Sequence, residues 1–290
     1  MEHTLLPSLA MDVPALYVTG FGVGTTLVSA TALRVVHGLL HRRAAAKRTP
    51  AESFVLVGQV LAAWLVSAAA VHGAVEGDEL MSDLRWVAAL GAVGLVLLVG
   101  AGELGARLLL SSHLDHEVRR GNVAAGVAAG AVYAATGIVA SAAIGGRGVH
   151  ELALSVGFFL LGIATLHVLG VLFRALTVYD DAEQVRGENV AAALSYGGAM
   201  LAFALVIGRA LEGSFTTWSD SLRSYGEVLL GCLALYPVRQ LIVQSLLLGA
   251  PLRLRGGRID EAVGSERNVA VAALEATTYL ATALAIHRLA

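Results

Sequence analysis

The chain has 290 residues, of which 57% are hydrophobic and only 14% charged, with a mean hydropathy of +0.73 and a net charge of −2. Soluble domains carry about 25% charged residues, so the composition excludes an ordinary soluble globular protein and points to the lipid bilayer. The near-neutral charge gives no sign of a nucleic-acid partner, and the single cysteine, Cys232, excludes disulfides and cysteine-based metal sites.

A bilayer crossing needs about 20 apolar residues. Eight stretches meet that length, near 14–40, 52–75, 85–110, 122–144, 151–176, 189–211, 225–250 and 268–289. The expected fold class is therefore all-α, a polytopic bundle of eight transmembrane helices in a single membrane domain over 1–290. The first stretch is too long for a signal-peptide core and has no basic segment before it, so it reads as a retained span. No loop is long enough for a soluble domain. One lysine against nineteen arginines, beside abundant Ala and Gly, fits a GC-rich bacterial genome.

The loops alternate in charge. Four of them share eleven basic residues, among them Arg42, Arg43, Arg119, Arg186 and Arg253, whereas the other three hold only Arg85, Arg147 and Arg223. Cytoplasmic loops carry the Lys/Arg excess. The basic loops are thus expected in the cytoplasm and both termini outside, as in a multi-pass protein of a bacterial inner membrane.

Inside that frame a motif recurs. Asn-Val-Ala opens three apolar runs, at Asn122, Asn189 and Asn268, spaced by 67 and 79 residues. Each follows a short charged loop containing an aspartate, Asp115, Asp181 and Asp260 respectively. Repetition of this size marks a reused structural unit. The expected units are four helical hairpins, near 13–77, 84–146, 151–213 and 225–290, each with a basic loop and a returning helix. In the first, Glu52-Ser53-Phe54 aligns without gaps onto Glu188-Asn189-Val190, which sets Ser53 at the asparagine position. Asn is a favoured N-cap because its side-chain oxygen accepts an orphaned backbone N–H, and unpaired backbone groups are costly at a membrane edge. The motif is therefore expected to cap helices. The loop acids either serve those helix ends, bind an ion or ligand, or dock a cytoplasmic protein. Small residues such as Gly126, Gly130, Gly197 and Gly198 suit close helix packing, within one chain or in a homo-oligomer.

The run Asp115-His116-Glu117 followed by Gly121-Asn122-Val123-Ala124-Ala125-Gly126 resembles the YjfL-like inner-membrane family, domain of unknown function 350. The resemblance implies tandem two-helix units and a bacterial inner-membrane protein. It implies no established activity, and no catalytic residue is carried over from it.

Ionisable residues inside spans are expensive in lipid and mark functional positions. Glu275 lies seven residues past Asn268, about 10 Å into the last span, and Glu103 lies at a comparable depth in the third. Arg239 and His167 fall near the middle of the seventh and fifth spans, and Pro237 removes a backbone donor beside Arg239. Two readings follow. In one, Arg239 pairs with Glu275 and Glu103 with Arg107, and the pairs only fix helix register. In the other, Glu275, Glu103, Arg239 and His167 line a polar path for a proton, small ion or small polar solute. A dry, closed Arg239–Glu275 pair favours the first reading, and a wet cavity the second. Nucleotide-binding loops, zinc helices and nucleophile elbows are missing, so no enzyme, cofactor or metal site is expected. The alternative is a non-catalytic membrane scaffold or envelope-stress component, whose loops dock a soluble partner through Asp115, Asp181 and Asp260.

Overall fold

Long runs of Ala, Val, Leu and Gly become helices because lipid offers backbone N–H and C=O groups no other partner. In the computed structural model, which describes residues 20, 22–25, 28, 49–77, 79–110, 114–213, 215–253 and 255–289, these runs form seven helices long and apolar enough to cross a membrane. They are α1 (Pro50–Ala74), α2 (Leu80–Leu110), α4 (Val123–Ala143), α5 (Val149–Leu176), α7 (Val190–Leu211), the composite span Trp218–Leu247 and α11 (Val269–Leu289). Short helices α3 (Leu114–Arg119) and α6 (Asp181–Arg186) lie in two of the connections. The expected first span, 14–40, falls almost entirely outside the described residues.

Helices α1, α4, α7 and α11 stand side by side in chain order. They run parallel, because contacts between neighbours advance together along both helices: Ala51 with Gly126, then Ala62 with Gly137. Helix α2 covers the groove between α1 and α4, α5 covers that between α4 and α7, and Trp218–Leu247 covers that between α7 and α11. The inner pair, α4 and α7, is 78% buried over its spanning window, whereas α1 is 44% and α11 33% buried. Among the described residues the row therefore has two open edges, α1 and α11.

Glycines set the spacing of the row. A Cβ on Gly58 would run into the Gly130 carbonyl, one on Gly130 would lie 2.5 Å from the Phe54 carbonyl oxygen, and one on Gly197 would lie 2.8 Å from Cβ of Ala131. Between membrane helices, where lipid weakens any hydrophobic drive, such close backbone approach is the source of attraction.

The seventh span is interrupted. Helix α8 (Trp218–Leu229) ends at a tight turn through Leu230 and Gly231, α9 (Cys232–Arg239) follows, and the chain then widens into a π-helical stretch, Gln240–Leu247. Pro237 sits within α9 and withholds one backbone donor. Wide turns of this kind concentrate at functional positions, and here the widening begins immediately after Arg239.

Candidate functional site

The end of the bundle that carries α3 and α6, called here the loop face, is built by a repeated device. Asn122 Oδ1 accepts the Ala125 N–H, Asn189 Oδ1 accepts those of Ala191 and Ala192, and Asn268 Oδ1 those of Ala270 and Val271. The expected caps are present at all three asparagines. The other half of the carboxamide does something the sequence did not reveal. Asn122 Nδ2 donates to the Val185 carbonyl and Asn189 Nδ2 to the Val263 carbonyl, each at 2.8 Å. Each cap thus clasps the loop of the following unit. Immediately before each asparagine the backbone turns left-handed, at Gly121 (φ 93°), Glu188 (φ 63°) and Arg267 (φ 53°).

The first unit corrects the gapless alignment. Thr49, not Ser53, caps α1: its Oγ1 accepts the Glu52 N–H, Glu52 returns a bond to the Thr49 N–H, and Oγ1 donates to the Val118 carbonyl at 3.3 Å. Ser53 lies one turn inside the helix and bonds back to the Thr49 carbonyl. Apolar helices of low complexity align almost equally well when shifted by one turn. Only the cap geometry fixes the register.

Beneath the clasps lies a buried polar cluster. Arg239 is fully buried and donates from Nε to Glu275 Oε1 at 2.7 Å and from Nη2 to Asp260 Oδ1 at 2.8 Å. The second Asp260 oxygen accepts the Val178 N–H at 2.9 Å, and Gln244 Oε1 accepts the Ile259 N–H at 3.1 Å, which latches the 258–260 turn (α10, Arg258–Asp260) under the span. The expected Arg239–Glu275 pair is thus present, and it is dry: both side chains are 0% exposed. A closed pair of this kind favours the reading in which it fixes helix register. Asp260 is its third member, so Arg239 ties a loop acid to a membrane acid.

Asp181 is different. It is 1% exposed, yet neither carboxylate oxygen has a hydrogen-bond partner. Arg174 Nε stands 3.7 Å from Oδ2, beyond hydrogen-bond range. Burial raises the Asp181 carboxyl to about 7, with Arg174 opposing the rise and Glu275, Asp180 and Asp260 adding to it. The Tyr179 hydroxyl, turned toward Ser195 and close to Glu275 and Asp181, is pushed well above its ordinary value, first by burial and then by those carboxylates. Further buried atoms here lack partners, namely Tyr179 Oη, Ser195 Oγ, Tyr279 Oη, Arg239 Nη1 and Glu275 Oε2. Buried polar groups are nearly always bonded, so this concentration distinguishes the cluster from the rest of the bundle. Beside it lies a groove of about 360 Å³, lined by Arg174, Thr177, Tyr179, Asp180 and Arg255 among others, so that Arg174 and Tyr179 belong to both. Arg174 stands between groove and acid, bonding Asp180 at 3.2 Å on one side and facing Asp181 on the other.

The four expected membrane residues do not share one place. Glu103 pairs with Arg107 at 3.0 Å, as expected, and also accepts from the Tyr133 hydroxyl at 3.0 Å. His167 holds the Ile163 carbonyl through Nδ1 at 2.7 Å, and its Nε2 packs against the backbone at Gly105. Those two belong to the α2–α4–α5 groove, whereas Arg239 and Glu275 belong to the α9–α11 contact. The α3 backbone includes Asp115, but its side chain lies outside the described residues. Tyr179 and Ser195 were missed, because neither residue type signals a buried carboxylate neighbour from sequence. Among the described residues no group of three or more His, Cys, Asp or Glu side chains is placed to hold a metal ion.

The family model described as Domain of Unknown Function (DUF350) matches the chain twice in tandem, over residues 6–144 and 149–289. The protein belongs to the DUF350 family. The first match contains α1 and α4 and the second α7 and α11, so the α4–α7 contact is a junction between two family domains. No curated protein and no solved structure matches the chain. Membership in DUF350, together with seven apolar helices among the described residues, makes this a multi-pass membrane protein and assigns it no activity.

Proposed function

We propose that this DUF350 protein is a non-enzymatic component of the bacterial inner membrane that carries protons or a small cation through its bundle. Asp181 is the group that takes up and releases the charge. One observation carries the reading: a carboxylate 1% exposed, with no hydrogen bond to either oxygen and Arg174 3.7 Å away, beside a cluster where Asp260 and Glu275 share one fully buried guanidinium. Stranded buried carboxylates protonate or attract a cation, because the bare charge is far costlier in a low-dielectric interior. Arg239 donates hydrogen bonds to Asp260 and Glu275, whereas neither oxygen of Asp181 accepts one. The groove beside Arg174 supplies a way in, and the arginine-rich loops support placing that mouth in the cytoplasm. Glu103 and His167 lie in another groove, where His167 Nε2 is the one buried unpartnered atom of the two, and they stand outside this reading.

Burial of Asp181 and Asp260 also argues against the scaffold alternative, since a docking protein would reach neither carboxylate. The test is proton uptake into liposomes holding the purified chain and a pH-sensitive dye, under an imposed potential. Wild type is expected to acidify the lumen, and Asp181→Asn and Glu275→Gln to lose that flux while remaining folded. Flux through Asp181→Asn equal to wild type would end the proposal.

A further inference from the structure

We propose that chains of this protein associate head to tail, the exposed face of α11 on one copy receiving the exposed face of α1 on a second. The argument starts from a register repeated at every junction of the row. Counting from each cap, the ninth residue of one returning helix meets the eighth of the next: Gly58 meets Gly130, Ala131 meets Gly197 and Gly198 meets Ala276. The middle junction joins the two DUF350 domains, so the chain itself displays how one such domain receives another.

At α11 the series stops, and no described helix continues the row beyond it. The second, fifth, ninth and thirteenth residues after Asn268 are Ala270, Ala273, Thr277 and Ala281, and all four are exposed. Their counterparts on α1, Ala51, Phe54, Gly58 and Ala62, lie along its contact with α4. The clasp stops there too. Asn122 and Asn189 each donate to the loop of the next unit, whereas Asn268 uses only its Oδ1, with no acceptor for Nδ2 among the described residues.

The opposite edge supplies the matching face. On α4 the fourth, eighth and fifteenth residues after the cap, Gly126, Gly130 and Gly137, pack onto α1. The same positions after Thr49 are Ser53, Val57 and Trp64, all exposed, the last two by more than half. The register of the row sets Ser53 against Ala270, Val57 against Thr277 and Trp64 against Ala281. The two alanines leave depth for the serine and the tryptophan. Valine against threonine holds the helices farther apart than the glycine contacts inside the chain. Both helices run the same way through the row, and copies inserted in one membrane keep that direction. A heterologous contact of this kind closes into a ring or grows as a file. A second copy is the occupant that continues an interface already used within the chain, whereas lipid alone would leave it truncated.

The experiment uses the full chain in a Cys232→Ala background, reconstituted in bilayers. Two differently tagged populations, one carrying Val57→Cys and one Thr277→Cys, are mixed and oxidised. A covalent species of twice the 29.9 kDa chain mass, bearing both tags, is the expected product. Linkage of Thr277→Cys to itself, or linkage no better than with Leu160→Cys on the exposed side of α5, overturns the proposal. Ala281→Leu, which fills the depth opposite Trp64, provides a second reading. It is expected to lose the multi-copy species in mild detergent with helical content unchanged, and a monomeric wild type, or assembly that survives this substitution, refutes the head-to-tail contact.

Discussion

Replacing Asp181 with Asn keeps the shape of the side chain and removes only its capacity to ionise. In the folded protein this carboxyl is raised from 3.8 to about 7 by burial, with Arg174 too distant to bond it. At 1.36 kcal/mol per pH unit the displacement corresponds to about 4 kcal/mol, taken as an upper bound because local relaxation lowers it. The sign follows from which state holds the proton. Below pH 4 the acid is protonated whether the chain is folded or not, and it adds no pH dependence. Between about 4 and 7 the folded protein keeps a proton that the unfolded chain has released, so stability falls as pH rises. Above about 7 both states are ionised and the full penalty is in force. Asp181→Asn is therefore expected to match wild type near pH 4 and to exceed it by up to about 4 kcal/mol at pH 8. Unfolding in detergent, followed by tryptophan fluorescence at a series of pH values, measures the divergence. Curves that stay parallel from pH 5 to 8 would refute the assignment of a stranded, titrating acid.

Two further expectations concern the groups around it. Asn189→Ala removes a cap worth about 1 kcal/mol and strands the Val263 carbonyl at a cost of about 1–3 kcal/mol. Asn268→Ala loses only its cap, so a smaller loss at 268 than at 189 in the same unfolding assay verifies the clasp between units. Arg239→Met leaves Asp260 and Glu275 buried together without their cation and is expected to cost about 3–5 kcal/mol. Adding Glu275→Gln and Asp260→Asn should recover most of that loss, and a triple variant no more stable than Arg239→Met would show that the charges are not what the guanidinium supports.

Seven of the eight expected spans and the asparagine caps were legible from residue order alone. Lipid admits few backbone solutions, so a run such as Val190–Leu211 has little choice but to be a helix, and Asn189 before it little choice but to cap it. Even the Arg239–Glu275 pair could be expected, because an arginine and an acid at similar depth on neighbouring helices are each too costly alone. Other features depend on distances between units, which spacing along the chain does not encode. Ser53 and Thr49 compete for one position in an alignment, and only the bonds to Glu52 and Val118 select Thr49. Asp181 and Asp260 lie in loops by sequence, yet both are buried, since each loop is drawn under the returning helix of the unit before it by the clasps to Val185 and Val263. Glu103 and His167 lie at depths that suit a shared path, but helix order sends them to a different groove. Sequence thus determined which segments are long and apolar enough to cross the membrane and how the three opened by asparagine begin, because those are matters of local solvation. The tertiary structure alone decided which acid was left without a partner, because that depends on which loop the packing brings over which helix.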